Sequence, residues 1–290
     1  MLRLKQLPTF DAVAAGKKAV CKPPLGLRYH AIWLELGNNA IAANTIADLV
    51  DDVVVKINGK PQRTHTGVQL DELNGINGAA YGFQASGTSG QADRRIYLPI
   101  WFAQPWRKNP SDAQALALRA NGIEDFAIEV NVKAALAAPI VAGWYEFDYD
   151  TRAVGLMSKV MRYDYGSSGT VLDIQGLEKR DFIESIHLFP DTSGTPRFVT
   201  EVKFTVNGEE LRDRITHLQN RASIQGRELV ADTATPFRYD LVFDFDDPIN
   251  GALPTQRDGK PVNEMTLKVT WDGAAAGTMP VLVVRTGPPE

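Results

Sequence analysis

Alternation of apolar and polar residues dominates this chain and predicts β-strands in both of its halves. The alternating stretches of the first half predict strands at residues 19–22, 28–36, 53–57, 95–102, 126–132 and 140–147. Those of the second half predict strands at residues 170–174, 182–189, 198–206, 237–244, 264–271 and 280–285. The chain is therefore predicted to be an all-β protein.

The two halves repeat the same pattern. Three pairs of segments match in the same order, namely 53–59 with 202–208, 96–105 with 239–248, and 126–132 with 265–271. The first pair ends in an Asn-Gly turn in both halves, at Asn58 and at Asn207, which lie 149 positions apart. We therefore predict two similar β-domains in tandem, residues 1–150 and 151–290.

Short helical segments interrupt the alternation. Thr66 and Gln69 have the spacing of a capping box at the start of a helix. In the second half, three apolar residues at helical spacing predict a buried helical stripe, namely Leu211, Ile215 and Leu218. A further helix is predicted at residues 111–120, between Pro110 and an Asn-Gly pair, whereas its counterpart at 249–262 is rich in Pro and Gly and predicts a loop.

Composition narrows the class of protein. The 290 residues are 44% hydrophobic and 23% charged, which is typical of a folded domain. The single cysteine, Cys21, excludes a disulfide within the chain and is interpreted as a small buried hydrophobe. The apolar runs fall short of the roughly 20 residues needed to cross a bilayer. The first residues lack the features of a signal peptide, so we expect synthesis in the cytoplasm.

Charge is unevenly distributed. The net charge of −4 argues against sequence-specific binding of nucleic acid. Residues 1–28 nevertheless hold six basic side chains and one acid. Four of these basic residues, namely Arg3, Lys5, Lys17 and Lys18, form a candidate membrane-proximal arm. An ordinary solvated terminus is the alternative.

Motifs of catalysis are missing from the sequence. The four histidines, namely His30, His65, His187 and His217, do not have the spacing of zinc ligands. A GxSxG elbow, a P-loop and a dinucleotide-binding GxGxxG are also missing, so the sequence predicts a protein that is not an enzyme. Its sharpest acidic cluster, which consists of Asp244, Asp246 and Asp247, is a candidate calcium site or a solvated turn before proline.

Aromatic residues allow two interpretations. Trp101 and Trp106 flank a proline, where they could stack on a sugar or pack against neighbouring elements. Trp144, Tyr145, Phe147 and Tyr149 lie close to the domain junction, where they could cover a join or fill one core.

The two strand-turn-helix units at residues 53–73 and 202–218, together with the stretch 95–130, resemble a known family. The chain is similar to the double jelly-roll major capsid proteins of tailless, membrane-containing icosahedral viruses, and most of all to corticovirus-like phage coat proteins. The resemblance implies two tandem eight-stranded jelly rolls with short helical insertions. It also implies a homotrimeric, pseudo-hexagonal capsomer that contacts neighbouring capsomers and minor capsid or vertex proteins in the virion. An internal membrane would lie close to the basic arm, no cofactor would be required, and calcium could bind at subunit contacts.

Two other functions fit a scaffold of two jelly rolls. One is a glycan-cleaving amidase or glycosidase, which needs a pair of carboxylates facing each other across a cleft. The other is a carbohydrate-binding or host-attachment module, which needs Trp101 or Trp106 to be exposed. Neither function explains why both halves keep the same strand-turn-helix unit.

Overall fold

The chain forms two compact units, each with its own core. The computed structural model describes residues 1–39, 45–88, 91–120, 122–150, 155–167, 169–190, 198–231, 238–243, 252–257, 260–272 and 277–290. Unit 1 comprises Met1–Val160 and Gly287–Glu290, and unit 2 comprises Met161–Thr286. The predicted domain boundary at residue 150 stays a prediction.

Unit 1 contains ten strands and three short α-helices among the described residues. The strands are β1 (Arg3–Gln6), β2 (Lys18–Cys21), β3 (Arg28–Asn38), β4 (Val50–Ile57), β5 (Lys60–Thr66), β6 (Gln84–Ser86), β7 (Arg95–Trp101), β8 (Leu118–Arg119), β9 (Phe126–Val132) and β10 (Pro139–Asp148). The helices are α1 (Ile46–Leu49), α2 (Gly67–Gly75) and α3 (Pro110–Ala115), and a 3₁₀-helix spans Ala79–Tyr81.

Two antiparallel sheets enclose the core of unit 1. The first has the strand order β1-β10-β3-β7-β6, and the second places four strands in the order β5-β4-β9-β2. Alternation along each strand directs one set of side chains into the space between the sheets. Val55 of β4, for example, is paired with Ile128 of β9, and both are fully buried.

Among its described residues, unit 2 contains the remaining strands and one α-helix. The strands are β11 (Met157–Ser167, which begins in unit 1), β12 (Val171–Ile174), β13 (Phe182–Leu188), β14 (Phe198–Val206), β15 (Glu209–Thr216), β16 (Tyr239–Val242), β17 (Leu253–Pro254), β18 (Gln256–Arg257), β19 (Lys260–Pro261), β20 (Met265–Asp272) and β21 (Gly277–Gly287). The helix is α4 (His217–Gln225).

Strand order in unit 2 repeats that of unit 1. One set of strands follows the order β11-β21-β13-β16, as β1-β10-β3-β7 does in unit 1. The other follows β12-β20-β14-β15, as β2-β9-β4-β5 does. Eight strands per unit in two facing four-stranded layers form a jelly roll. The predicted fold class, two tandem eight-stranded jelly rolls with short helical insertions, is confirmed.

The Asn-Gly turns are the same in both units. Asn58 and Asn207 have φ of 50° and 48°, a left-handed conformation that asparagine tolerates better than most residues. The Oδ1 atom of Asn58 accepts hydrogen bonds from the backbone N–H groups of Glu124 and Asp125, at 2.9 and 3.2 Å. That of Asn207 accepts two equivalent bonds at 2.9 and 3.1 Å. Each asparagine thus ties its hairpin to the loop before a neighbouring strand.

Helices α2 and α4 begin at equivalent capping boxes. Thr66 and Gln69 exchange hydrogen bonds between side chain and backbone at the start of α2, as predicted. Thr216 and Gln219 do the same at the start of α4. Each box satisfies N–H groups that the first turn of a helix leaves without partners.

The predicted helical stripe at Leu211, Ile215 and Leu218 is wrong. Leu211 and Ile215 lie in strand β15, and Leu218 in α4 is 71% exposed. The three residues lie on both sides of the boundary between β15 and α4, so they do not form one face of a helix. Pairing of β15 with β14 decides the conformation, because it supplies backbone hydrogen bonds that the spacing of side chains does not reveal.

The predicted helix at residues 111–120 is shorter than expected. Helix α3 is capped by the side chain of Asn109 and ends at Ala115. Strand β8 follows at Leu118–Arg119, and its buried Leu118 pairs with Tyr29 of β3. Pairing with β3 therefore overrides the local helical pattern.

Candidate functional site

The four basic residues of the predicted arm lie in two places in unit 1. Arg3 and Lys5 are in β1, and the guanidinium of Arg3 lies 4.9 Å from the centre of the Tyr149 ring. Lys17 precedes β2, and Lys18 in β2 forms an ion pair of 3.0 Å with Glu129. All four side chains are exposed, but the structure divides them between strands of two different sheets.

The predicted calcium ligands, Asp244, Asp246 and Asp247, lie outside the described residues. Within the part of the chain that the structure describes, no group of three or more His, Cys, Asp or Glu side chains is placed to hold a metal ion.

Residues of unit 1 line a cleft of about 980 Å³. Its lining combines basic and acidic side chains, namely Arg3, Arg28, Arg107, Lys108, Glu146, Asp148 and Asp150. Within this lining, Arg28 donates from Nε and Nη2 to both carboxylate oxygens of Asp148, at 2.9 and 2.6 Å. His30 Nε2 lies 2.8 Å from Asp148 Oδ2. The buried charges thus pair with one another and join β3 to the end of β10.

The same contacts keep Asp148 ionised. Burial of the carboxyl raises its pKa, but hydrogen bonds from Arg28, the backbone N–H of Asp150 and His30 more than offset this and lower the pKa to about 2. Sequence analysis missed this network because His30 and Asp148 lie 118 positions apart and have no motif in common.

Unit 2 contains a second buried network. Ser185 Oγ lies 2.7 Å from His187 Nε2, and His187 Nδ1 lies 2.7 Å from Asp240 Oδ1. Arg238 Nε donates to the same carboxylate at 2.8 Å. Burial raises the pKa of Asp240, but Arg238 and His187 lower it by more, so the carboxylate stays ionised.

The order serine, histidine, aspartate is that of a nucleophilic triad. Ser185, His187 and Asp240 are only 7%, 3% and 2% exposed, however, so a substrate has no access to the hydroxyl. Since Ser185 and His187 lie in β13 and Asp240 in β16, the network joins two paired strands. Its contribution is structural.

His65 and Arg63 are buried in β5 on the face that points into the core. His65 is 0% exposed, and neither of its ring nitrogens has a hydrogen-bond partner. Burial, together with the charge of Arg63, lowers the pKa of His65 to about 3. Sequence analysis placed neither residue in the core, because residues 60–66 have no alternating apolar pattern. Only its pairing with the buried face of β4 shows which side chains point inward.

The tryptophans of unit 1 pack against other aromatic rings. Trp101 donates from Nε1 to the backbone oxygen of Tyr81 at 2.9 Å and meets Trp33 edge-on at 5.5 Å. Trp106 meets Tyr81 edge-on at 5.5 Å, and Trp144 stacks on Trp33 at 5.7 Å. All four indoles are partly buried, which supports packing rather than stacking on a sugar.

Tyr145 and Phe147 belong to the core of unit 1 and are 1% and 4% exposed. The aromatic segment at residues 144–149 was predicted either to cover a join between domains or to fill one core. For Tyr145 and Phe147, burial in the core of unit 1 is correct.

The most exposed strands lie at sheet edges. All four residues of β1 are exposed, and Leu4, on this strand, is 67% exposed. Strand β15 ends the other sheet of unit 2 and is exposed or partly exposed throughout. An exposed edge carries unpaired backbone N–H and C=O groups, which favour pairing with another chain. These edges, rather than a pocket with reactive groups, form the candidate functional site.

Comparison with known proteins gives one family and several similar folds. The family model of the viral coat protein P2 N-terminal domain matches residues 4–148, which is half of the chain. A comparison with curated proteins finds no match. No helix in the described part of the chain is long and apolar enough to cross a membrane.

Three solved capsid structures have the same fold. The major capsid protein P2 of bacteriophage PM2 has a TM-score of 0.79 at 18% identity, over 99% of this chain and 97% of that one. The capsid structure of Sulfolobus turreted icosahedral virus has a TM-score of 0.70 at 12% identity, over 99% and 91%. The PBCV-1 virus capsid has a TM-score of 0.65 at 11% identity, over 99% and 93%.

The family model and the two repeated jelly rolls agree with each other, and they support the coat-protein interpretation rather than a glycan-cleaving or glycan-binding one. The chain belongs to the viral coat protein P2 family and is a major capsid protein of a virion shell, not an enzyme.

Proposed function

We propose that the chain forms homotrimeric, pseudo-hexagonal capsomers that tile the faces of an icosahedral phage shell. The observation that carries this proposal is the repetition of one strand order, one Asn-Gly turn and one capped helix in both units. Three copies around a threefold axis would present six similar units, and closed symmetry of this kind is common in protein oligomers. Neighbouring capsomers and minor capsid or vertex proteins would contact the outer edges.

Native mass tests the trimer. Light scattering of the purified protein on a sizing column should give three times the 31.8 kDa of one chain. A monomer at every concentration would contradict the proposal.

The same measurement tests whether calcium stabilises the trimer. We propose that Asp244, Asp246 and Asp247 bind calcium at a subunit contact, because several carboxylate oxygens close in sequence suit a hard cation. Chelator should then lower the native mass, and calcium should restore it. A variant with Asn at all three positions should lose this dependence, whereas Asp164→Asn, on an exposed ion pair elsewhere, should keep it. A native mass that does not depend on calcium would contradict the proposed calcium site.

We also propose that Arg3, Lys5, Lys17 and Lys18 lie close to an internal lipid membrane. A basic residue beside an anionic surface contributes about 1 kcal/mol of attraction. Lys17→Gln with Lys18→Gln should therefore weaken binding to vesicles containing phosphatidylglycerol by about 10- to 30-fold. Lys60→Gln with Lys268→Gln removes the same charge from exposed positions elsewhere and should have a much smaller effect. Equal effects of the two pairs would contradict the proposal.

A further inference from the structure

Strands β5 and β15 occupy equivalent places in their units, but their outer edges differ. Beyond β5, Val160 pairs in parallel with Arg63, and both residues belong to unit 1. In unit 2, β15 is the last strand of its sheet, with the order β12-β20-β14-β15. The edge that is covered in β5 is therefore open in β15, as far as the described residues extend.

Arg63 and Arg212 are equivalent residues on these two strands. Arg63 pairs with Val55 and Arg212 with Phe204. Arg63 lies 4.8 Å from the centre of the Phe102 ring, and Arg212 lies 5.6 Å from that of Phe243. Each arginine also donates to a backbone oxygen of the residue before that phenylalanine.

The two arginines differ at Nε. In Arg63, Nε donates to the backbone oxygen of Ser158 at 2.8 Å, at the beginning of β11, and the residue is 4% exposed. In Arg212, Nε has no acceptor among the described residues, and the side chain is only partly buried. Among the described residues of unit 2, no strand offers Arg212 the carbonyl group that β11 offers Arg63.

Strand β1 has the features of the missing strand. It is the first strand of its jelly roll, as β11 is of the other, and it pairs with the last strand, β10. Because Leu7 N–H donates to Gly143 on β10, alternation directs the peptide groups of Leu4 and Gln6 away from β10. Among the described residues no strand pairs with this outer edge of β1, so the edge is available for pairing.

The two strands carry net charges of opposite sign. The only charges on β1 are those of Arg3 and Lys5, whereas β15 carries three acids, namely Glu209, Glu210 and Asp213, beside two arginines. Leu2 and Leu4 are 54% and 67% exposed, which is unusual for apolar side chains unless another surface covers them.

We propose that β1 of one copy pairs in parallel with β15 of the next copy, and that a backbone carbonyl of β1 accepts a hydrogen bond from Arg212 Nε. This inference rests on the proposed trimer and identifies the contact between its neighbouring copies. Three such contacts close a ring, because each copy offers one β1 and one β15. Pairing uses the backbone, so the side chains of Arg3 and Lys5 remain outside the ladder.

Cysteine cross-linking tests the contact. The parent chain has one cysteine, Cys21, which is 1% exposed. Leu4→Cys is combined with Glu210→Cys or with Asp213→Cys, two exposed positions on either side of Arg212. Under mild oxidation, at least one combination should give a covalent trimer on a non-reducing gel. Leu4→Cys with Val171→Cys, which places the second cysteine on the opposite edge of the same sheet, should give none.

A backbone variant gives an independent measurement. Leu4→Pro removes one outward N–H group and should raise the concentration at which the trimer dissociates about tenfold more than Leu4→Ala does. If the parent chain is a trimer, but the cysteine variants do not cross-link and Leu4→Pro does not weaken the trimer, the proposed pairing of β1 with β15 is wrong. The proposed trimer is then unaffected. A parent monomer would overturn both.

Discussion

Replacing Asp240 by asparagine is expected to destabilise unit 2 by about 3–5 kcal/mol, because it removes the carboxylate from a buried ion pair with Arg238. Arg238 and His187, its two partners, are each 3% exposed, so water cannot take the place of the lost carboxylate. Hydrogen exchange followed by mass spectrometry should show faster exchange in peptides from β13 and β16. Peptides from unit 1 provide the internal reference.

Two variants define the control for Asp240. Asp164→Asn removes a partner from the exposed Arg162–Asp164 pair in the same unit, and it should cost less than about 1 kcal/mol. Adding Arg238→Met to Asp240→Asn should recover part of the loss, since it also removes the buried positive charge that Asp240 neutralised. If Asp240→Asn behaved like Asp164→Asn, the network would not stabilise the unit.

Acid is expected to destabilise unit 1 through His65. The unfolded chain binds a proton at this imidazole below pH 6.5, its ordinary pKa, whereas the folded chain does so only near pH 3. Between these values the unfolded state binds more protons, so stability falls as the pH falls. The loss from this one residue should be about 3 kcal/mol at pH 4 relative to pH 7.

Comparison with His65→Leu isolates this effect from those of the carboxylates. Urea unfolding followed by tryptophan fluorescence reports mainly on unit 1, which holds Trp33, Trp101, Trp106 and Trp144. The leucine variant should lose about 3 kcal/mol less than the parent between pH 7 and pH 4. At pH 7 it should be at least as stable, because it buries no ring nitrogen without a partner. Parallel pH profiles would show that His65 is hydrated or partnered in the folded protein.

Local sequence determines much of this fold. The alternation that predicted a strand at residues 126–132 gave the bounds of β9 correctly, because a strand with one buried face must alternate. The Asn-Gly pairs located both hairpins, since few other residues adopt their left-handed conformation. Thr66 and Gln69 located α2 because a capping box acts over only four residues.

Pairing between distant strands could not be predicted in this way. Residues 60–66 are mostly polar and lack an alternating apolar pattern. Strand β5 forms nevertheless, because its backbone pairs with that of β4. The segments at 111–120 and 211–218 have helical spacing, but β8 and β15 pair with other strands instead. Local preferences contribute tenths of a kcal/mol to about 1 kcal/mol per residue, and the hydrogen bonds of a ladder override them.

The sequence by itself determined the class of fold, its duplication, the coat-protein family and the absence of catalytic motifs, because strand period, turn chemistry and repeats are properties of neighbouring residues. Only the tertiary structure decided which polar groups are buried together. Asp240 is joined to His187 across 53 positions, and Asp148 is joined to His30 across 118. It also showed that Arg212 repeats the environment of Arg63 but, among the described residues, has no strand beside it. Such contacts depend on which strands become neighbours, and that follows from the packing of the whole sheet.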